Sequence, residues 1–364
     1  MIIKTITDYL EKLAPLAYAE DFDNVGLLVG DYNTEVTGVL VTLDTLEETV
    51  DEAIAKNCNL IVSFHPIIFS GLKKLNGKSY VERVVLKAIK NNIAIYATHT
   101  ALDNSKNGVS AKICEVLGLQ NYKVLIPKKG IIKKLTTYVP TENAEDLKTA
   151  LFEAGAGNIG NYNHCSFSIL GEGTFKGNDD SNPVIGKKGE LQKQEEIQVS
   201  VTFEAKNEKS ILQALIANHP YEEVAYEIIT TENVHQNIGM GMIGELPQEM
   251  EENQFLQFVK KTMQTNCVRH SQFINKKIKK VAVLGGSGSF AISNAIQSGA
   301  DAYISADFKY HEFFKAENKI LLADIGHYES EQFTKRLLVD YLTKKFSNFA
   351  IVLSEKSTNP IYYI

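Results

Sequence analysis

Four of the eight histidines, His65, His99, His311 and His327, stand just after short apolar runs that read as buried strands. His65 ends Leu60 to Phe64, His99 and Asp103 follow Ile93 to Thr98, Asp307 and His311 follow Ala302 to Ser305, and His327 and Glu331 follow Ile320 to Ile325. Imidazole and carboxylate together suit zinc, iron or manganese, and a site with open positions activates water. The pairs His99/Asp103, Asp307/His311 and His327/Glu331 are four apart, which places both side chains on one face wherever the segment is helical. Spacing alone is weak, because His219/Glu223 repeats it in a stretch where no site is expected. Placement adds what spacing lacks: ligands of parallel α/β sheets bind beyond the carboxyl ends of the strands. Taken singly, each histidine serves equally well as a hydrogen-bonding group. The set of His65, Asp103, His327 and Glu331 is read as a site for one or two divalent ions, with His99 or His311 moving protons. Asp307 is equally suited to cap a helix beginning near Lys309.

Two glycine-rich stretches need separate readings. Gly239, Gly241 and Gly244 fit G-x-G-x-x-G, but Glu245-Leu246-Pro247 follows rather than a helix, so the dinucleotide fingerprint is rejected. Gly285 to Ser289 lies between a strand ending at Leu284 and a helix starting near Phe290. It is equally an anion-binding helix start and a tight turn dictated by sterics.

The elements that must position these residues come in three blocks. Residues 1–127 alternate strand and helix: Val36 to Thr42, helix Leu46 to Lys56, Leu60 to Phe64, helix Tyr80 to Asn91, Ile93 to Thr98 and helix Ala111 to Leu117. That order argues for a largely parallel α/β sheet. Residues 128–232 read βαββαβ, a ferredoxin-like order, through Leu135 to Val139, helix Asn143 to Ala154, Cys165 to Leu170, Ile197 to Phe203, helix Lys209 to Ala217 and Val224 to Ile229. Residues 233–364 resume the α/β pattern and end on a long helix, Ser330 to Thr343, and a strand, Phe349 to Leu353. The expected architecture is one α/β domain, built from the first and last blocks and interrupted by an inserted module.

Composition narrows the function classes. The 364 residues are 44% hydrophobic and 23% charged, the balance of a globular protein. The net charge is -6 and the lysines are scattered among acids, so nucleic acid is a poor partner. Cys58, Cys114, Cys165 and Cys267 form no C-x-x-C pair and no disulfide framework. The N-terminal segment carries Asp8 and Glu11 rather than a signal peptide's apolar run, and no stretch reaches membrane-spanning length. The expected compartment is the cytoplasm.

At these residues the chain resembles the NIF-three-like family, often labelled GTP cyclohydrolase 1 type 2 homologues. The resemblance rests on Asp23 to Gly30, Ser63 to Pro66, His99 to Asp103, Gly239 to Leu246, Leu284 to Gly288, Asp307 to His311 and Gly326 to Glu331. The middle block, with Glu153 to Gly160, Tyr162 to Phe167 and His219 to Tyr226, resembles the insert of the longer bacterial members, which is similar to PII and CutA-type proteins. The resemblance implies a two-lobed α/β domain with a two-metal centre. His65, Asp103 and Glu331 would hold one ion, His327 the second, with Glu331 the candidate bridge. It also implies ring-like homohexamers with the inserts around the ring axis. One departure stands out: the family has two adjacent histidines before the proline, and here the first is Phe64. The second ion would lose a protein ligand, leaving partial occupancy or substitution by His99 or water. Two functions follow as expectations. One is a metal-dependent hydrolase of a nucleotide such as GTP; the other is a non-catalytic metal-binding or regulatory protein whose insert senses a small molecule or partner.

Overall fold

Contacts divide the chain of this computed structural model, which describes residues 1–364, into two compact units: 1–127 with 237–364, and 128–236. The first stretch supplies α1 (Ile3–Leu13), β1 (Gly26–Val29), β2 (Val39–Thr42), α2 (Glu47–Ala55), β3 (Leu60–Ser63), α3 (Tyr80–Lys90), β4 (Ala94–Ala97), α4 (His99–Asp103), α5 (Val109–Val116) and β5 (Gln120–Lys128). The middle holds β6 (Ile132–Pro140), α6 (Ala144–Glu153), β7 (Ser166–Phe175), β8 (Gln192–Glu204), α7 (Glu208–Asn218) and β9 (Tyr226–Thr230). The last stretch supplies β10 (His235–Met250), α8 (Glu252–Thr262), β11 (Arg269–His270), β12 (Ile278–Ser287), α9 (Ile292–Gln297), β13 (Ala302–Ala306), β14 (Leu321–Asp324), α10 (His327–Glu331), α11 (Thr334–Lys345) and β15 (Ile351–Leu353).

The larger unit contains two sheets. The first runs β1-β4-β3-β2-β15, parallel except for β1. Every residue of β2, β3 and β4 is buried, as expected of central parallel strands covered on both faces. On one side α2 and α3 pack Val50, Ala53, Val84, Val85 and Ala88 against Leu40, Ile61 and Ile95. Helix α3 starts cleanly because Ser79 accepts the Glu82 N–H at 3.2 Å. The second sheet runs β11-β14-β13-β12-β10-β5, with β12, β13 and β14 parallel. Val41, Val62 and Tyr96 of the first sheet share one core with Val283, Ile304 and Leu321 of the second, joined by residues of α1, α5, α8 and α11. The C-terminal strand β15 pairs with β2, so the two ends of the chain complete one sheet.

The smaller unit is an antiparallel sheet in the order β7-β8-β6-β9. Leu147, Leu151, Ile211 and Leu215 of α6 and α7 pack on Leu135, Val199 and Val201. This unit also holds a cavity of about 970 Å³, lined by Tyr138, Phe175, Tyr221, Glu196 and Glu222 among others.

Two local expectations change. The single helix expected over Ser330 to Thr343 is two helices, α10 and α11. The helix expected from Phe290 begins as a 3-10 turn, Ser289–Ala291, before α9. The stretch with Gly239, Gly241 and Gly244 lies inside the long strand β10. No helix is long and apolar enough to cross a membrane.

Candidate metal centre

His65 owes its position to the parallel ladder continuing past β3. Its backbone N–H donates to Leu43 O at 2.9 Å, and Phe64 N–H to Thr42 O at 3.1 Å. The turn after β2 places Asp44 beside the ring, with Asp44 Oδ1 2.9 Å from His65 Nδ1. Burial alone would lower the imidazole pKa, but the bond to Asp44 and the facing negative charge of Glu331 reverse this and raise it to about 10.

His327 and Glu331 project from α10, which starts immediately after β14. Asp324 holds that turn: it accepts the Phe308 N–H at 2.9 Å and the Gly326 N–H at 3.1 Å, and pairs with Arg269. The Phe308 contact also fixes the loop after β13, where Asp307 places Oδ2 2.7 Å from His327 Nδ1. Burial would lower the His327 pKa, yet the bond to Asp307 and the facing negative charge of Glu331 raise it to about 11. The Gly285 to Ser289 stretch passes under Glu331. Gly286 has φ +69°, and a Cβ there would lie 2.4 Å from Glu331 Oε1. Its N–H donates to Ser330 Oγ at 2.8 Å, so steric closeness rather than anion binding accounts for this glycine.

Ligand-capable atoms of His65, His327 and Glu331 lie within 4.8 Å of one another. Glu331 is buried, with Oε2 3.2 Å from His65 Nε2 and 3.3 Å from His327 Nε2. Yet this oxygen makes no well-directed hydrogen bond. Burial would raise the Glu331 pKa, but the two imidazoles hold it down at about 2. With each Nδ1 held by a carboxylate, each ring aims its Nε2 at the same buried oxygen, and a cation that displaces the Nε2 proton meets a lone pair there. Three inward acceptors fit a cation: zinc with ligands at about 2.0–2.1 Å in tetrahedral array separates them by about 3.3 Å. Asp103 stands beside this group but outside the converging three. Burial, and then the nearby charge of Glu331, push its pKa well above the ordinary carboxylate range. A carboxyl so placed regains its charge when a cation arrives.

The other expected residues divide. His99 opens α4 with φ 22°, and its Nδ1 lies 2.7 Å from Asp23 Oδ1. Burial opposes the ionisation of Asp23, but bonds from His99 and Thr100 bring its pKa to about 2. The His99 ring is 5.3 Å from that of His65, centroid to centroid. His311 is exposed in a 3-10 segment and stacks edge-on against Tyr310, away from the expected helical face. Asp307 does not cap that segment. Lys309 and Glu312 do, leaving Asp307 to orient His327. His219, expected to carry no site, is held between Tyr138 O and the Tyr221 N–H. Phe64 is wholly buried and packs against His65 and His99, so a phenyl ring fills the place where the resemblance puts a histidine. Sequence reasoning missed Asp44 and Asp23, which lie in loops and meet their histidines only through the fold. Exposed Phe22 and Phe69 were also missed; Phe69 reaches within 6.2 Å of the His99 ring.

The profile of the family described as Duf34/NIF3 (NGG1p interacting factor 3) matches residues 1–360. The chain belongs to the Duf34/NIF3 family. Among its relatives, a Bacillus subtilis protein named GTP cyclohydrolase 1 type 2 homolog is 40% identical over 99% of this chain and 98% of its own length. A Staphylococcus epidermidis protein of the same name is 35% identical over the full length of both. A crystal structure of a Bacillus cereus protein related to NIF3 superposes with a TM-score of 0.84 at 37% identity, covering 100% of this chain and 99% of that one. These Duf34/NIF3 relatives share the whole chain, including the segment that forms the smaller unit.

Proposed function

We propose that the chain is a divalent-metal-dependent hydrolase of the cytoplasm, acting on a nucleotide or related heterocycle. The observation that carries this reading is the buried Glu331 Oε2, faced by the Nε2 atoms of two imidazoles that Asp44 and Asp307 orient. His65, His327 and Glu331 would hold a zinc, iron or manganese ion, with Asp103 the added ligand or the link to a second ion. Such an ion acidifies bound water and polarises a substrate oxygen. His99, fixed at Nδ1 by Asp23, accepts and returns a proton at Nε2. Phe22 and Phe69 offer exposed ring faces beside His99 for a planar substrate. The names of the relatives point the substrate search to GTP. A homohexamer built through the PII/CutA-like insert belongs to the same reading.

The test is turnover of a nucleotide panel by metal-reloaded protein, with wild type and Asp103→Ala purified in parallel. Chelator and the substitution should each abolish turnover. If wild type binds metal but no nucleotide is turned over, the hydrolase reading fails. The regulatory reading then stands, and the roughly 970 Å³ cavity of the smaller unit favours it as a small-molecule sensing site.

A further inference from the structure

Residues after β15 form no regular element, yet their polar contacts reach the carboxylate that supports His65 and the helix that carries His327. Ser354 Oγ donates to Glu52 Oε2 at 2.6 Å and the Glu355 N–H to Glu52 Oε1 at 2.9 Å, anchoring the segment on α2. Thr358, 7% exposed, donates through Oγ1 to Asp44 Oδ2 at 2.5 Å. The other oxygen of that carboxylate holds His65 Nδ1. Asn359 Nδ2 donates to Glu329 Oε1 at 3.1 Å, and Glu329 sits in α10 between His327 and Glu331. Tyr363 brings its hydroxyl to the start of the same helix, where a Cβ built on Gly326 would lie 3.1 Å from it. One short segment therefore contacts the first sheet's side of the centre through Asp44 and the second sheet's side through Glu329.

We propose that residues 354–363 are a strap that sets the geometry of the metal centre, with Thr358 and Asn359 as positioning residues. This rests on the metal-binding reading of the site. A carboxylate with two oxygens can rotate about its last bond; the Thr358 hydroxyl fixes that rotation, so the other oxygen meets the ring in one orientation. Asn359 does the same for the buried Glu329, and so for the register of α10. Loss of partners that orient a ligand lowers metal affinity by about 10–100-fold. Thr358 acts one group further out, so Thr358→Val alone should lower it by about 3–10-fold, and Thr358→Val with Asn359→Ala by about 10–100-fold.

Cobalt(II) is the probe, titrated into the full chain against a competing chelator while the visible absorption bands are recorded. Those bands report coordination geometry, which a loss of fold stability alone would not shift in the bound state. Thr358→Val and the double variant should bind more weakly with altered bands, and Thr358→Ser, which keeps the hydroxyl, should restore both. Wild-type affinity and spectrum in Thr358→Val and in the double variant would overturn the strap. Weakened binding that Thr358→Ser fails to restore would overturn the hydroxyl's role. Absence of cobalt binding by wild type would instead overturn the metal centre, and the strap's function with it.

Discussion

His65 Nε2 and Glu331 Oε2 stand 3.2 Å apart, one carried at the end of a strand in the first sheet and the other on a helix that follows the second. Each sheet therefore delivers part of the centre from the carboxyl ends of its parallel strands. Neither half of the sequence holds the set alone, and the shared core between the sheets fixes the separation.

Metal loading should release protons. Without a cation, His65 and His327 have pKa values raised to about 10 and about 11, so both imidazoles carry two protons at pH 7. A cation needs the neutral rings and must displace a proton from each. Apparent affinity should therefore rise with pH, by as much as about 100-fold per unit, and level off as pH passes through those raised values. Calorimetry of zinc binding at pH 7 in buffers of different ionisation enthalpy should return at least two protons released, one from each imidazole, with any further proton coming from Asp103. No buffer dependence would show that the rings are already neutral.

Gly286→Ala should damage the centre without replacing a ligand. The new Cβ meets Glu331 Oε1 at 2.4 Å, and φ +69° is strained for alanine. The backbone conformation alone costs about 1–3 kcal/mol. Denaturant melts should show that loss, and competition titration should show weaker metal binding. Unchanged affinity would mean that Glu331 moves aside freely.

Much of the centre was legible in the sequence, and the part that was not has a physical reason. His65, His327 and Glu331 follow apolar runs, and a strand's end is readable from hydrophobic pattern. The carboxylates that orient them are not, because Asp44 meets His65 across neighbouring strands β2 and β3, and Asp23 meets His99 from a loop. His311 and Asp307 keep the four-residue spacing without sharing a helical face, since the segment from Tyr310 is a 3-10 turn and Asp307 adopts φ 58° before it. The alternation of strands and helices was readable, and so was a closing strand over Phe349 to Leu353, but its pairing with β2 was not, because pairing between distant segments leaves no local pattern.

Removing residues 128–236 should leave a folded, metal-binding protein. The ends to be joined are already close: a Cβ on Gly239 would lie 2.9 Å from Pro127 Cα, and β5 and β10 are neighbours in one sheet. No core residue of the sheet sandwich is lost. A chain joining Pro127 to Asn237 through a short linker should melt cooperatively and bind zinc with wild-type stoichiometry. An unfolded product would contradict the division into independent units.

The most direct measurement is anomalous diffraction at the zinc edge from zinc-reloaded crystals, for wild type and Glu331→Gln. Wild type should show a peak bounded by His65 Nε2, His327 Nε2 and a Glu331 carboxylate oxygen, at about 2.0–2.2 Å from each. Glu331→Gln should lose most of that peak while the two imidazoles keep their bonds to Asp44 and Asp307. A wild-type map with no peak among these three residues, at saturating zinc, would contradict the metal centre.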